Sequence, residues 1–138
     1  MYKVFIDTNI LIYTMDNYNV GKRDRCRNII REIIKNQKTV ISSQILQEFY
    51  VIGTTKLKLD PIFIKNILHT FENMEIVVID VFLIKEAIDT SVLNKVSFWD
   101  ALVIVSAEIA KCEKIYTEDL NHGQIIRGVK IENPLLHS

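Results

Sequence analysis

Short runs of aliphatic and β-branched residues alternate along the chain with longer segments whose apolar residues recur at helical spacing. This alternation is typical of an α/β domain with a mostly parallel sheet. Helices are predicted near residues 9–16, 22–36, 43–57, 61–73, 81–94 and 98–111. Strands are predicted at Lys3 to Ile6, Thr39 to Ser42, Ile76 to Ile79, Lys114 to Thr117 and Val129 to Glu132. Right-handed crossovers would place helices on both faces of this sheet.

One predicted helix is apolar nearly all round. The segment Phe98 to Ala110 contains β-branched residues that favour a strand, but its length favours a helix, and we expect this helix to be buried. Pro61 suits the first turn of a helix that begins after Asp60. Gly123 and Gly128 predict turns near the C-terminal end of the chain.

Length and composition predict a single domain, residues 1–138. The chain has a mass of 16.0 kDa, with 49% hydrophobic and 25% charged residues, which is the composition of an ordinary globular domain. Its 4 Gly and 2 Pro leave no linker-like tract. Its apolar runs are too short for a membrane span, and its N-terminal segment lacks a signal-peptide pattern, so we expect neither membrane insertion nor export. Cys26 and Cys112 lack zinc-site spacing and are expected to be free thiols in a reducing cytoplasm.

Basic residues are concentrated in one predicted helix, although the whole chain carries 17 basic and 17 acidic residues. Between Lys22 and Lys38 seven basic residues are accompanied only by Asp24 and Glu32, which gives a local excess of +5. Such a helix could follow a phosphate backbone or bind an acidic partner, and it could equally be an ordinary solvated face. The arginines of this segment are Arg23, Arg25, Arg27 and Arg31.

Carboxylates interrupt or border the apolar structure at several points. Asp7 follows the first predicted strand and Asp119 follows the fourth, at the strand ends where open α/β sheets bind their ligands. Asp100 lies at the start of the apolar helix, and Glu48 lies within a helix among apolar residues. Each aspartate could instead be part of a helix N-cap, and Ser97 with Asp100 has the spacing of a capping box. Glu48 has no capping position, so either it points to water or a cation compensates for its charge.

Taken together, the acids predict a divalent-cation site in one crevice. Carboxylates held close together repel one another unless a cation lies between them. Mg²⁺ and Mn²⁺ prefer carboxylate oxygens, whereas zinc suits this set less well because His122 is the only His or Cys near the acids. A cation held in such a site can activate a water molecule and neutralise charge on a phosphodiester.

The same residues resemble the acidic motifs of PIN domains. The four segments, VFIDTNILI, SSQILQEF, SFWDAL and YTEDL, contain Asp7, Glu48, Asp100 and Asp119 in that order. Their order and spacing resemble the VapC-like toxin ribonucleases over essentially the whole chain. The C-terminal motif, with Thr117 to Gln124 and Asn133-Pro134, is similar to a bacterial PIN branch described only as nucleic-acid-binding. His122 stands where the commoner ending has an aromatic residue.

This resemblance implies a three-layer α/β/α fold with a parallel five-stranded sheet in the order 3-2-1-4-5. It implies an endoribonuclease that depends on Mg²⁺ or Mn²⁺, and a VapC-like toxin of a toxin–antitoxin pair. Family members are usually dimers, and such toxins are usually silenced by a small antitoxin protein. The partners it implies are therefore an RNA substrate, an antitoxin and a second copy of the chain.

The resemblance also assigns roles to individual residues. The catalytic acids would be Asp7, Glu48, Asp100 and Asp119. Of these, the metal would be bound by Asp7, Asp100 and Asp119. Supporting polar groups would be Thr8, Asn9, Ser97 and Thr117. The arginines that would contact RNA phosphates are Arg23, Arg25, Arg27 and Arg31.

Some residues near the motifs have two interpretations. His122 could be a general acid or contact a phosphate, but a lone loop histidine is more often solvated. Glu118 could be a fifth acid, although we expect it to point outward. Trp99 and Phe98 could stack on a base, but at the start of an apolar helix we expect them in the core.

Two other functions are compatible with an α/β domain that carries acids. A phosphoacceptor receiver domain would use Asp80 as acceptor, with Thr117 and Lys130 as partners. That function leaves Glu48 and Asp100 without a role, and Asp80 also has the position of an N-cap. A non-catalytic RNA-binding or partner-binding module is the other alternative, and the presence of all four acids argues against it.

Overall fold

The computed structural model describes residues 1–136, which form a mixed α/β domain. The strands are β1 (Lys3–Ile6), β2 (Lys38–Ser42), β3 (Glu75–Val77), β4 (Lys114–Tyr116), β5 (Ile125–Ile126) and β6 (Val129–Glu132). The helices are α1 (Thr8–Tyr13), α2 (Val20–Asn36), α3 (Ser43–Thr55), α4 (Pro61–Phe71), α5 (Val81–Asn94) and α6 (Phe98–Ile109), followed by a 3₁₀ turn (Pro134–Leu136). All the predicted helices and strands are therefore present, with ends that differ by a few residues.

The strands form one sheet in the order β3-β2-β1-β4-β6-β5. The five predicted strands occupy the predicted order 3-2-1-4-5, since β6 is the fifth of them, and all of their pairings are parallel. The predicted α/β architecture and strand order are thus confirmed. The prediction of a purely parallel five-stranded sheet was wrong in one respect, because β5 adds a sixth, antiparallel strand at the edge.

A tight hairpin explains the additional strand. Ile126 pairs with Val129, and the two residues between them both have positive φ, 51° at Arg127 and 80° at Gly128. Positive φ at both central positions is the geometry of a type I′ turn, whose twist matches that of an antiparallel pair. The turn predicted at Gly128 is confirmed. Strand β5 was not predicted because its two residues are too few to show an alternation of apolar and polar positions.

The core lies on both sides of the sheet. Successive residues of β1 point to opposite faces, and Val4, Phe5 and Ile6 are each 0% exposed. Both faces of the central strand are therefore covered, as expected for parallel strands between helical layers.

Helix α6 is buried as predicted. Every residue from 101 to 107 of this helix is buried, and the helix packs against α5 and against β2, β4 and β6. Its contact with α5 forms a smaller apolar cluster around Leu83 and Leu102. The two cysteines, Cys26 and Cys112, are free and buried. Within residues 1–136, no helix has both the length and the apolar character that a bilayer crossing requires.

Candidate active site

The carboxyl ends of β1 and β4 lie side by side at the centre of the sheet. Ile6 is in register with Tyr116, and the backbone N–H of Asp7 donates to the Tyr116 carbonyl at 3.0 Å. This hydrogen bond extends the pairing of β1 with β4 by one residue. Asp7 and Thr117 therefore both lie just beyond the carboxyl ends of their strands. The two strand ends therefore bring the first and last acidic motifs to one edge of the sheet, as the sequence predicted.

Asp7 is a fixed, buried carboxylate. Its side chain is 5% exposed and N-caps α1 by accepting a 2.8 Å hydrogen bond from the backbone N–H of Thr8. Its second oxygen, Oδ2, accepts a 2.7 Å hydrogen bond from the hydroxyl of Thr117. Asp7 therefore has both the expected capping role and a position in the site, because Oδ1 caps the helix and Oδ2 contacts Thr117.

Thr117 connects the first acid to the last. It is fully buried, and its Oγ1 donates to Asp7 while accepting a 3.1 Å hydrogen bond from the backbone N–H of Asp119. Asp119 itself is exposed and follows β4 in a loop, so it caps no helix. The hydroxyl of Thr117 therefore fixes the backbone that carries Asp119 relative to Asp7.

Glu48 points toward the same edge from α3. Its Oε1 accepts a 2.6 Å hydrogen bond from the hydroxyl of Thr8, the residue after Asp7. Its Oε2 accepts a longer, 3.4 Å hydrogen bond from Nε2 of Gln44, one turn earlier on α3. Glu48 is half-buried, which excludes the interpretation that it simply points to water. Thr8 thus links the start of α1 to the helix that carries Glu48.

Asp100 enters the site from the first turn of α6. Ser97 caps this helix, since its Oγ accepts a 3.0 Å hydrogen bond from the backbone N–H of Asp100. The predicted cap at Ser97 is confirmed, and it fixes the helix start that holds Asp100. Gln44 adds a link from α3, because its Nε2 donates to the carbonyl of Trp99 at 3.1 Å.

One pocket of about 170 Å³ is lined by all four acids. It lies at the carboxyl edge of the sheet, where α1, α3 and α6 meet. Since one water-sized sphere needs roughly 10–15 Å³ of such space, the pocket is large enough for a small cation together with several water molecules. The polar and aromatic side chains that line it are Asp7, Thr8, Asn9, Tyr13, Gln44, Glu48, Lys56, Trp99, Asp100 and Asp119.

Burial and mutual repulsion raise the proton affinity of two of these acids. The pKa of Asp7 is raised from 3.8 to about 6, chiefly because burial disfavours the charged form. The hydrogen bonds from Thr117 and Thr8 oppose this rise in pKa, and the charges of Asp119 and Glu48 add to it. The pKa of Asp100 is also raised, first by burial and then by the charge of Asp119. A divalent cation in the pocket would relieve both effects.

The donor set fits a hard cation held partly through water. Among residues 1–136, no three His, Cys, Asp or Glu side chains are grouped so that they could hold a metal ion directly. Mg²⁺ is commonly bound through one or two carboxylates and keeps several waters, so it does not need a protein cage. Both side-chain polar atoms of Asn9 are buried and have no hydrogen-bond partner within the described chain, although Asn9 lines the pocket. Unpaired buried polar groups are costly, so they favour a ligand or ordered water in this pocket.

The four arginines of α2 are not part of this pocket. Arg25 donates to the carbonyl of Leu135, and Arg27 donates to the carbonyl of Thr14 at 2.8 Å. Arg23 is paired with Asp24 at 3.2 Å, and Arg31 contacts Asn28 on its own helix. Their proposed contact with RNA phosphates therefore concerns a surface outside the acidic pocket.

Lys22, in the first turn of the same helix, lies beside a residue that lines the pocket. Its ammonium group lies 3.9 Å from the ring centroid of Tyr13, which lines the pocket, and 2.9 Å from Oε2 of Glu118. The Tyr13 hydroxyl donates to the other oxygen of Glu118. Glu118 therefore does not simply point outward. Burial acts to raise the pKa of its carboxyl, but the bonds to Tyr13 and Lys22 outweigh burial and hold this pKa below its usual value. Glu118 ties the loop after β4 to α1 and α2.

Two side chains differ from their expected environments. Trp99 is 62% exposed and lines the pocket, so the expectation that it lies in the core was wrong. Phe98, its neighbour, is partly buried and packs against the α5–α6 cluster as expected. The Nδ1 of His122 accepts a 3.0 Å hydrogen bond from the backbone N–H of Asn133, which ties its loop to the C-terminal segment.

Gln44 and Lys56 were not assigned to the site from the sequence, although both line the pocket. Gln44 precedes Glu48 by one helical turn and therefore shares its face, a spacing that could have identified it. Lys56 lies two turns after Glu48 and lines the same pocket, where it brings a positive charge near the acids.

The topology argues against a receiver domain. Asp80 N-caps α5, with its Oδ1 accepting a 2.9 Å hydrogen bond from the backbone N–H of Leu83. It follows β3 at the edge of the sheet, and β2 and β1 separate it from β4 and Thr117. Receiver domains use the order 2-1-3-4-5, which places the third strand at the centre.

Several solved structures share this fold. VapC20 of Mycobacterium tuberculosis, described as a toxin that cleaves the sarcin-ricin loop, is 12% identical with a TM-score of 0.68, over 84% of this chain and 89% of that chain. A toxin–antitoxin complex from Klebsiella pneumoniae is 18% identical with a TM-score of 0.71, over 95% and 97%. DNA-bound VapBC from Salmonella typhimurium is 22% identical with a TM-score of 0.67, over 96% and 98%.

A comparison with curated proteins gives no significant match. The PIN domain family model, in contrast, matches residues 4–127, which include the segments that carry the four acids. This match covers most of the chain and agrees with the strand order. The chain therefore belongs to the PIN domain family.

Proposed function

We propose that this protein is an endoribonuclease that depends on Mg²⁺ or Mn²⁺ and acts as a VapC-like toxin. The observation that carries the proposal is the convergence of Asp7, Glu48, Asp100 and Asp119 on one pocket in a PIN fold. RNA as the substrate class is supported by the similarity to VapC20, which is described as cleaving the sarcin-ricin loop. A toxin role is supported by the similarity to toxin–antitoxin complexes.

In this proposal, Asp7 and Asp100 are the most direct cation ligands, and Asp119 completes the metal-binding set. A bound Mg²⁺ or Mn²⁺ would activate water for attack on the phosphodiester and neutralise charge on the phosphate. Asp7 is suited to this role because Thr8 and Thr117 hold its oxygens at fixed positions. Asp100 approaches from the capped start of α6.

Glu48 and Asp119 have the complementary roles of orienting and polarising the attacking water. The carboxylate of Glu48 accepts hydrogen bonds from Thr8, at 2.6 Å, and from Gln44, so its orientation in the pocket is fixed. Asp119 is exposed, which gives it access to water and to substrate at the mouth of the pocket. Lys56 supplies positive charge in an acidic pocket that would otherwise repel RNA.

The direct test is an RNA cleavage assay with Mg²⁺ or Mn²⁺. We expect cleavage by the wild-type protein that EDTA stops, and a loss of about 100-fold or more in Asp7→Asn and Asp100→Asn. Asp80→Asn is the matched control, because Asn and Asp are equally good N-caps and Asp80 lies outside the pocket. Full activity in either site variant would end the assignment of that residue. Absence of metal-dependent cleavage in the wild type would favour a non-catalytic binding module.

We also propose a protein partner and a homodimer. The structural similarity to toxin–antitoxin complexes supports an antitoxin that silences the acidic pocket. Exposed apolar side chains on α5, including Phe82 at 64% and Leu93 at 80%, support self-association. Light scattering coupled to size exclusion tests the dimer, and a monomer at micromolar concentration would contradict it.

The α2 arginines and the cellular location also stay predictions. Substitution of Arg31, the exposed member of Arg23, Arg25, Arg27 and Arg31, by Gln is expected to weaken RNA binding and to reduce its salt dependence. An unchanged salt slope would exclude this side chain from the RNA path. A cytoplasmic location is supported by the two free thiols of Cys26 and Cys112.

A further inference from the structure

A second groove adjoins the acidic pocket. Its lining consists of Gln44, Gln47, Glu48, Val51, Ile52 and Trp99. Four of these six residues, Gln44, Glu48, Ile52 and Trp99, also line the acidic pocket, so the two spaces adjoin each other. An RNA chain with a phosphodiester among the acids can therefore place a neighbouring nucleotide in this groove. We call it the Trp99 groove.

Trp99 is held in place although its ring lies largely in solvent. Its side chain is 62% exposed, whereas residues 101–107 of α6 are buried. The carbonyl of Trp99 accepts a hydrogen bond from Gln44 at 3.1 Å, and its ring packs edge-on against Phe98 at a centroid distance of 5.3 Å. The backbone and one edge of the indole are therefore fixed, and a face remains available for contact.

The chemistry of the groove matches a nucleobase. Val51, 53% exposed, and Ile52 provide an apolar wall beside the indole, which suits a flat ring. Gln44 and Gln47 add amide groups, and the Oε1 of Gln44 is buried without a hydrogen-bond partner among residues 1–136. The exposed side chain of Gln47 presents an amide oxygen that can accept a hydrogen bond from an exocyclic amino group or a ring N–H of a base.

We propose that the Trp99 groove is a nucleobase subsite, in which the base next to the scissile phosphate of single-stranded RNA stacks on Trp99. This inference rests on the proposed nuclease function, because that function places the phosphate in the adjoining pocket. Trp99 directly precedes Asp100 in the chain, so the base platform and a catalytic acid share one helix turn. Stacking on an aromatic ring accepts any base, so the subsite selects unpaired over paired RNA more strongly than it selects sequence.

Intrinsic fluorescence tests the contact without requiring cleavage. Trp99 is the only tryptophan of the chain, so the emission of the whole protein reports on this one ring. We expect a short single-stranded RNA, added in EDTA so that it is not cleaved, to quench this emission saturably. The same oligonucleotide made abasic along its length, and a blunt RNA duplex, are expected to quench it much less.

Kinetics of ring variants provide the second measurement. Trp99→Ala is expected to raise KM for single-stranded RNA by about 5-fold to 140-fold, the range for loss of one base–aromatic stack, with a smaller change in kcat. Trp99→Phe is expected to restore much of the affinity, because a ring is again present. Phe63→Ala is the matched control, since Phe63 is an aromatic residue of α4 that is 45% exposed and lines neither the Trp99 groove nor the acidic pocket.

The outcomes separate the subsite from the nuclease function. Metal-dependent cleavage with unchanged fluorescence, and with the KM of Trp99→Ala equal to that of the wild type, would overturn the subsite and leave the groove to a protein partner. Saturable quenching by RNA without cleavage at any Mg²⁺ or Mn²⁺ concentration would support the subsite and refute the nuclease. If RNA neither quenches the emission nor is cleaved, both proposals fail.

Discussion

Replacement of Asp7 by Asn is expected to stabilise the fold at neutral pH and to abolish activity at the same time. The buried carboxyl has its pKa raised from 3.8 to about 6 in the folded, metal-free protein. A folded pKa above the unfolded value favours folding at low pH, and this contribution is lost as the pH rises through about 6. At about 1.4 kcal/mol per pKa unit, the ionised side chain lowers the free energy of unfolding above pH 7 by about 3 kcal/mol.

Asn is a conservative probe of this penalty. Its amide oxygen can accept the hydrogen bond from the backbone N–H of Thr8, and the hydroxyl of Thr117 can rotate to accept from the amide nitrogen. The variant therefore loses the charge and keeps the packing. We expect a gain of at most about 3 kcal/mol at pH 7.5, and no gain near pH 3.5.

Urea unfolding of both proteins in EDTA, at pH 3.5, 5 and 7.5, measures this difference directly. Addition of Mg²⁺ at pH 7.5 should then stabilise the wild type and leave Asp7→Asn unchanged, because a ligand that binds only the folded state raises its stability. A variant that is equally or less stable than the wild type at pH 7.5, or a difference independent of pH, would refute the electrostatic reasoning.

Three further substitutions test supporting contacts. Thr117→Val removes the hydrogen bond that lowers the pKa of Asp7, so the pH of half-maximal cleavage should rise by about one unit or less. Gln44→Leu frees Glu48 and the start of α6, and we expect kcat to fall about 10-fold to 100-fold with an unchanged circular dichroism spectrum. Arg127→Met removes ion pairs to α5 and α6, so urea unfolding should show a loss of about 1–2 kcal/mol, with unchanged cleavage.

Each of these substitutions has an outcome that would contradict its reasoning. An unshifted pH profile in Thr117→Val would mean that its hydroxyl does not tune Asp7. Wild-type kcat in Gln44→Leu would show that the α3–α6 link is only structural. A loss of cleavage in Arg127→Met would indicate coupling between the β5–β6 turn and the acidic pocket.

The position of the acids was predictable because it depends on strand order. Asp7 and Asp119 stand just beyond strands that are parallel neighbours, and the pattern of apolar runs was sufficient to place both strands. Asp100 could be placed because Ser97 marks the helix start three residues earlier. Helix caps and strand ends can be predicted from local sequence, since they depend on few long-range contacts.

The environments of the side chains could not be predicted in the same way. The bond from Gln44 to the Trp99 carbonyl joins residues 55 positions apart, and no local pattern encodes it. Trp99 was expected in the core because its helix is apolar, but the first turn of α6 extends beyond the buried part. The arginines of α2 form a basic run in sequence, yet Arg25 and Arg27 are bound to backbone carbonyls.

The central claim is that these carboxylates share a divalent cation that drives RNA cleavage. Anomalous diffraction from crystals soaked in Mn²⁺, under conditions in which the protein cleaves RNA, tests this claim most directly. We predict a Mn²⁺ peak in the pocket, within coordination distance of Asp7 or Asp100, that is absent in Asp7→Asn. Cleavage-competent crystals with no peak in this pocket, or with the ion bound elsewhere, would contradict the account.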